Sequence, residues 1–426
     1  MPMSAGPQTT IDLLSQKLLR RWVPKWYGAF CESETGLFYE RVGHAFMPLK
    51  TGKRRLLTQC RQLSVYAHAA AQKDAPFSPD LTAHFEALVH YYREPEQGGW
   101  IFALDDDLKP VDRHYDLYAH AFVIFALAHY YRATKDTRAS QYALDTLSLI
   151  DRHFRAVDAP GFCEAIGQNL EPIPQTRRHE SHMHLLEACL FAYETFQTDG
   201  FLAMADTLVG LFEDCFYQAD HNRLSEYYDD QLLPQKSDGH YVLEPGHYAE
   251  WIWLLKKYQN LTTKTVDVDI WAAPMLLWAN KYGWDQDYGG IFDELNEENK
   301  ITSDTKRIWP FTEALKANAL MLNSELDRYE LKNRIRLMMG VFRDHYMDER
   351  GFWTEWLNRD LSPATDYMPG TTPYHVYFGV MESRLALKSR GQSKSLRAFP
   401  ALFYYKIRRH SSDFMRKIRT KISSSS

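Results

Sequence analysis

Apolar and polar positions along this chain follow a pattern that repeats. Six segments begin at Gly or a polar turn residue, alternate for a few positions, turn at polar residues and continue briefly, which is the hairpin signature. They are GLFYERVGHAFMPLKTGK from Gly36, GWIFALDDDLKPVD from Gly99 and GFCEAIGQNLEPIP from Gly161, then RLSEYYDDQLLPQKSDG from Arg223, GIFDELNEENKITSDTK from Gly290 and GFWTEWLNRDLSPATD from Gly351. The starting points recur about every 62 residues, and a fixed period marks a repeat architecture.

Two helical patterns lie between successive hairpins. The set following each hairpin directly is apolar nearly all round: RLLTQCRQLSVYAHAAA, DLYAHAFVIFALAHYY, HMHLLEACLFAYETF, HYAEWIWLLKKY, PFTEALKANALML and PYHVYFGVMESRLAL. Helices of that kind are buried on both sides. The other set, LTAHFEALVHYYRE, QYALDTLSLIDRHF, LAMADTLVGLFEDCF and VDIWAAPMLLWANKY, keeps one polar face and suits an outer shell. Six such pairs predict an all-α fold, an (α/α)6 barrel of twelve helices with short hairpins on one rim. Pro24 falls inside the first outer helix and is expected to kink or break it. The barrel is expected to span residues 1–390, with 391–426 a basic extension forming a peripheral helix or frayed tail.

This geometry gathers residues from all along the chain. Arg61, Tyr118, His120, His184, His247, Glu250, Glu313 and His375 stand near the starts of inner helices and converge on one mouth. A polar residue there can merely satisfy backbone groups. Three histidines at corresponding places in three repeats point to chemistry instead. Glu250 follows His247 by three residues, which places both on one helix face, where the carboxylate can orient the imidazole. Trp251, Trp309, Trp353 and Trp356 lie close to the rim in sequence and offer faces for a pyranose, with core packing the preferred reading for at least two. Arg177, Arg178, Lys306 and Arg307 make a candidate cationic edge for a phosphorylated ligand, or are solvated loop charges.

Composition narrows the classes. The chain has 426 residues, 45% hydrophobic, with a net charge of −5, which gives no electrostatic case for nucleic-acid binding. Five cysteines, with no CxxC or Cys/His ligand spacing, predict reduced thiols. No basic-then-apolar leader and no membrane-length apolar run is present, so a cytoplasmic protein is expected. His182 and His184 point in different directions on a helix, so no metal set is evident. Without a Gly-rich phosphate loop, no nucleotide cofactor is expected.

HMHLLEA (His182 to Ala188), PGHYAEWIWLL (Pro245 to Leu255) and TPYHVYF (Thr372 to Phe378) resemble the N-acylglucosamine 2-epimerase superfamily. LTQCRQL around Arg61, DLYAHAF around Tyr118 and RIWPFTEALKA around Glu313 support the match, which runs from about Trp22 to about Leu387. The resemblance implies metal-independent proton transfer at C1–C2 of a sugar through a cis-enediol. It implies His247 and His375 as the proton-transferring pair, Arg61 beside the developing oxyanion and His184 on the sugar oxygens. Tyr118, Glu250, Trp251, Trp309 and Glu313 complete the expected substrate-binding set.

TPYHVYFGVME and GHYAEWIWLL look closest to the mannose and phosphomannose isomerase-like branch. D-mannose to D-fructose is therefore the expected reaction, with 2-epimerisation to D-glucose, or turnover of a related N-acyl or phosphorylated sugar, as the alternative. A small-molecule sugar is the expected partner, and homodimers are common among relatives. One departure stands out: many members carry Asn where this chain reads RRHESHMH, with Glu180 and His182. An (α/α)6 glycoside hydrolase using two of Glu250, Glu313 and Asp116, and a non-catalytic sugar-binding protein, are the competing readings.

Overall fold

The computed structural model describes residues 6–72 and 76–388. The outer wall opens with α1 (Pro7–Lys17) and α2 (Val23–Phe30), joined through a wider π-type turn at Leu18–Trp22. Pro24 stands in the first turn of α2, where its missing N–H leaves no bond unmade. The division of the first outer helix thus falls one turn ahead of the proline. Inner and outer helices then alternate: α3 (Leu56–Ala70), α4 (Leu81–Tyr92), α5 (Leu117–Thr134), α6 (Thr137–Leu149), α7 (His179–Phe196) and α8 (Asp199–Leu211). They continue with α9 (Pro245–Leu261), α10 (Asp269–Trp278), α11 (Ile308–Leu320), α12 (Arg328–Val341) and α13 (Pro373–Lys388). The odd-numbered helices from α3 to α13 pack side by side, and α13 returns against α3 to close the inner ring.

The sequence explains each layer. In α5 every residue from Leu117 to Tyr130 except Tyr118 is buried, as a helix walled by neighbours on both sides requires. In α6 burial is confined to one stripe, Ala139, Ala143, Thr146, Leu147 and Leu149. Starts are set locally: Asp116 caps α5 by accepting the Ala119 N–H, and Asp327 caps α12 by accepting from Tyr329 and Glu330. Lys135 and Gln197, both left-handed, end α5 and α7.

The rim is laced between repeats as well as within them. Arg54–Arg55 pairs with Ala103–Leu104, Tyr115–Asp116 with Ala165–Ile166, Arg177–Arg178 with Tyr227–Tyr228, and Lys306–Arg307 with Trp356–Leu357. Leu243 bridges Leu295, and Tyr367–Pro369 pairs with Arg41–Gly43, joining the sixth repeat to the first. Two-residue strands are too short to hold alone, so each segment leading into an inner helix borrows the next repeat's hairpin.

The same helix position braces each hairpin. Gln59, His120, His182 and Tyr248, each fourth in its inner helix, accept the N–H of Phe38, Trp100, Phe162 and Leu224 at 2.7–3.1 Å. His120 and His182 also donate from Nδ1 to a backbone carbonyl four residues back. His120 is therefore a wholly buried brace and does not reach the mouth.

The described barrel ends at Lys388, and the extension expected over 391–426 lies outside the described residues. Among the described residues no helix is long and apolar enough to cross a membrane.

Candidate active site

Four inner helices place a polar side chain at their sixth residue: Arg61 on α3, His184 on α7, Glu250 on α9 and Glu313 on α11. His247 and His375 are instead third in α9 and α13, about 4.5 Å nearer the rim at 1.5 Å per residue. The three histidines are thus not equivalent. Two stand at an upper level and His184 at the lower one.

Each upper histidine leans on a buried carboxylate. His247 donates from Nδ1 to Glu226 at 2.8 Å, with Glu244 at 3.9 Å. Burial alone pulls its proton affinity down, but Glu226 and Glu244 outweigh it and lift the imidazole to about 10. The partner is not Glu250, whose carboxylate points inward and has His184 Nε2 3.8 Å away. Burial, with Glu313 and Glu187 nearby, pushes the Glu250 carboxyl well above the usual range, and neither of its oxygens is hydrogen-bonded among the described residues. Glu226 also lies 3.3 Å from His179, which accepts the Trp251 indole N–H.

His375 donates from Nδ1 to Glu313 at 3.0 Å. The other oxygen of Glu313 is ion-paired with the buried Lys316 at 2.5 Å. Burial, Arg61 and Lys316 together outweigh Glu313 and hold the His375 imidazole down at about 4. Trp309 stands between the two histidines, its ring 4.8 Å from His247 and 5.5 Å from His375. At neutral pH the site therefore presents one imidazolium and one neutral imidazole on either side of a partly exposed indole.

Below them, Arg61 bonds the Tyr118 hydroxyl and faces the rings of Phe122 and Tyr374 at 4.4 and 4.8 Å. His184 donates to Glu187 at 3.1 Å, and Glu187 also accepts from the Tyr374 hydroxyl. His184, Glu187 and Glu250 approach one another within 4.8 Å, as do Glu250, Glu313 and His375, and His179, Glu226 and His247. In each group an imidazole N–H is given to a carboxylate.

Several expectations need correction. Trp251 is fully buried against Phe212, with ring centres 4.6 Å apart, and belongs to the packing between layers. Trp353 is core too, edge-on to Trp26, so two of the four tryptophans pack in the core as expected. Trp356 is the exposed member, 5.5 Å from the Arg307 guanidinium. Asp116 is spent on capping α5.

The four cations of the candidate edge are each engaged within the protein. Arg177 donates to the carbonyls of Pro160, Phe162 and Asp230, and Lys306 to Asp285 and the carbonyls of Gly289 and Arg359. Arg178 is bonded to Glu180 at 2.9 Å, and Arg307 to Asp293 and Glu244 at 2.8 and 2.9 Å.

Glu226, Glu187, Tyr374 and Lys316 escaped the sequence reading. A signal existed for Glu226. Glu40, Glu164, Glu226, Asp293 and Glu355 recur at the same place in five hairpins. Glu40, Glu164 and Asp293 accept the backbone N–H just before an inner helix. Glu226 is the one of these that binds the two histidines.

The family described as N-acylglucosamine 2-epimerase matches residues 36–379. A mannose-6-phosphate isomerase of Rhizobium meliloti (strain 1021) is 28% identical over 375 residues, 86% of this chain and 94% of the relative. The cellobiose 2-epimerase structure from Spirochaeta thermophila DSM 6192 superposes with a TM-score of 0.78 at 20% identity, covering 91% of this chain and 98% of the other. A D-mannose isomerase structure gives 0.75 at 19%, covering 89% and 98%.

Proposed function

Because the chain belongs to the N-acylglucosamine 2-epimerase family, and is an enzyme of that sugar isomerase and epimerase class, we propose that it converts D-mannose to D-fructose without a metal. The observation that carries this reading is the His247–Trp309–His375 arrangement, in which two imidazoles, each bonded to a buried carboxylate, flank one indole. Removing the weakly acidic proton at C2 of an aldose needs a neutral base, and His375 supplies it. The oxyanion that develops at O1 and O2 needs a fixed positive partner, which His247 and Arg61 supply. A cis-enediol exposes C1 and C2 to the same base, so His375 returns the proton to C1.

Trp309 and Tyr118, both partly exposed, hold the sugar ring, with His184 and Glu250 on its hydroxyls, while Glu313 acts through His375. Trp251 has no part in this. A protonated His247 opposite His375 also favours the second reading, 2-epimerisation to D-glucose, where His247 returns a proton to the other face of C2. The hydrolase reading loses its carboxylate pair, since Glu313 is engaged by His375 and Lys316 and Asp116 caps α5.

The preferred substrate is an unphosphorylated hexose. The four cations expected to bind phosphate are tied to carbonyls or carboxylates, and Glu180 and Glu244 lie among them. We assign catalysis to the barrel, residues 1–390, and none of it to 391–426. Product analysis on D-mannose tests the reading: fructose supports it, glucose alone establishes the epimerase, and no turnover of any hexose or hexose phosphate overturns both.

A further inference from the structure

The two upper histidines have similar settings and opposite protonation, and the difference lies one residue further back. Behind His247 the carboxylate of Glu226 meets, among the described residues, the imidazole of His179, 3.3 Å away, and no ammonium or guanidinium is paired with it. Behind His375 the carboxylate of Glu313 meets a full ammonium, Lys316 at 2.5 Å. Lys316 is 2% exposed and lies one turn along α11 from Glu313, with its ammonium 4.0 Å from the centre of the Trp253 ring. A lysine is almost never buried this completely without a specific partner, and this one has three carboxylates in range, Glu313, Glu250 and Glu187.

We infer that Lys316 is a positioning residue of the reaction: by neutralising Glu313 it keeps His375 free to take the substrate proton, while the lack of a counterpart behind Glu226 makes His247 the proton donor. The inference rests on the assignment of His375 as base.

The charges facing His375 come from every inner element around it. Arg61 comes from α3, His184 and Glu187 from α7, Glu250 from α9, and Glu313 and Lys316 from α11, with Tyr374 alongside on α13. Arg61 and Lys316 are the cations among them. Glu250 has no hydrogen bond among the described residues, and burial raises its carboxyl well above the usual range. Glu313 is therefore the carboxylate that governs His375, and Lys316 is the group that cancels it. Without Lys316, the Glu313–His375 couple binds one proton firmly, whether the proton sits on oxygen or nitrogen. Either location removes the neutral base in the acid half of the pH range.

The test is the pH profile of kcat/KM for Lys316→Met, Lys316→Arg and the double variant Lys316→Met/Glu313→Gln, with C2 hydrogen exchange measured alongside. Lys316→Met is expected to move the acid limb upward by at least about one unit, an approximately tenfold loss at pH below the limb that recovers as pH rises. Lys316→Arg should restore the wild-type limb, and the double variant should return it towards wild type, because both buried charges leave together. An unmoved limb in folded Lys316→Met, or Arg no better than Met, overturns the inference. Should Lys316→Met not fold, Lys316→Gln, which keeps a polar side chain at the site, takes its place: a raised acid limb supports the inference, and an unmoved limb ends it. His375→Asn separates this from the underlying assignment. Retained C2 exchange there refutes His375 as base, whereas lost exchange with an unmoved Lys316→Met limb refutes only the role of Lys316.

Discussion

Nδ1 of His247 lies 2.8 Å from a carboxylate oxygen of Glu226, although the two residues belong to different elements, the bend between the short strands Arg223–Leu224 and Tyr227–Tyr228 and the start of α9. That bond holds His247 as an imidazolium. Its contribution to stability is complete below the unfolded imidazole value of 6.5 and is lost as pH rises through about 10. Glu226 is held well below its ordinary 4.5 despite burial, by His247 and His179, so its contribution is present above that value and fades as pH falls further. The stability gap between wild type and Glu226→Gln should therefore be widest between about pH 4.5 and 6.5 and narrow on both sides. Chemical denaturation from pH 4 to pH 10 measures it, and a gap independent of pH would refute the pairing.

Activity should follow the same two histidines. The wild-type profile is expected to lose its base through protonation of His375 near pH 4 and its acid through deprotonation of His247 near pH 10. Glu226→Gln should bring the alkaline limb down while leaving the acid limb in place. Initial rates across pH decide this.

Replacing His375 or His247 by Asn should each lower kcat by about 10²–10⁴. His375→Asn should abolish deuterium uptake at C2, whereas His247→Asn should retain some uptake if the enzyme is an isomerase. Near wild-type exchange in His375→Asn would remove it as the base.

Arg177→Ala should destabilise the fold without changing substrate preference. It strands the buried Phe162 carbonyl and the part-buried carbonyls of Pro160 and Asp230, and the buried one alone costs about 1–3 kcal/mol when left unpaired. Thermal melting should register the loss, while the ratio of mannose to mannose 6-phosphate turnover stays as in wild type. A selective loss of the phosphorylated sugar would restore Arg177 to a phosphate subsite.

Truncation after Leu387 removes the basic extension and should leave turnover of mannose largely intact, with stability lowered at most modestly. Loss of turnover in a folded truncated chain would show that the extension takes part in catalysis.

Much of this protein is determined by local pattern. Helix periodicity and a recurring hairpin specify twelve barrel helices, because an inner helix must be apolar all round and an outer one on a single stripe. The same count places Arg61, His184, His247, Glu250, Glu313 and His375 on inner helices without any coordinates. What the sequence could not settle is which way a side chain turns and what it meets. Successive helix residues are rotated by about 100°, so Glu250 faces the barrel axis while Trp251 faces the outer layer, a distinction invisible in a helix that is buried all round. The partners of the histidines come from chain closure. Glu226 reaches His247 from the preceding hairpin, and Glu313 reaches His375 from a helix 62 positions earlier. Which carboxylate is then answered by a lysine and which by a histidine depends on side chains that meet only when the ring closes, and that encounter decides which imidazole is the base and which the acid.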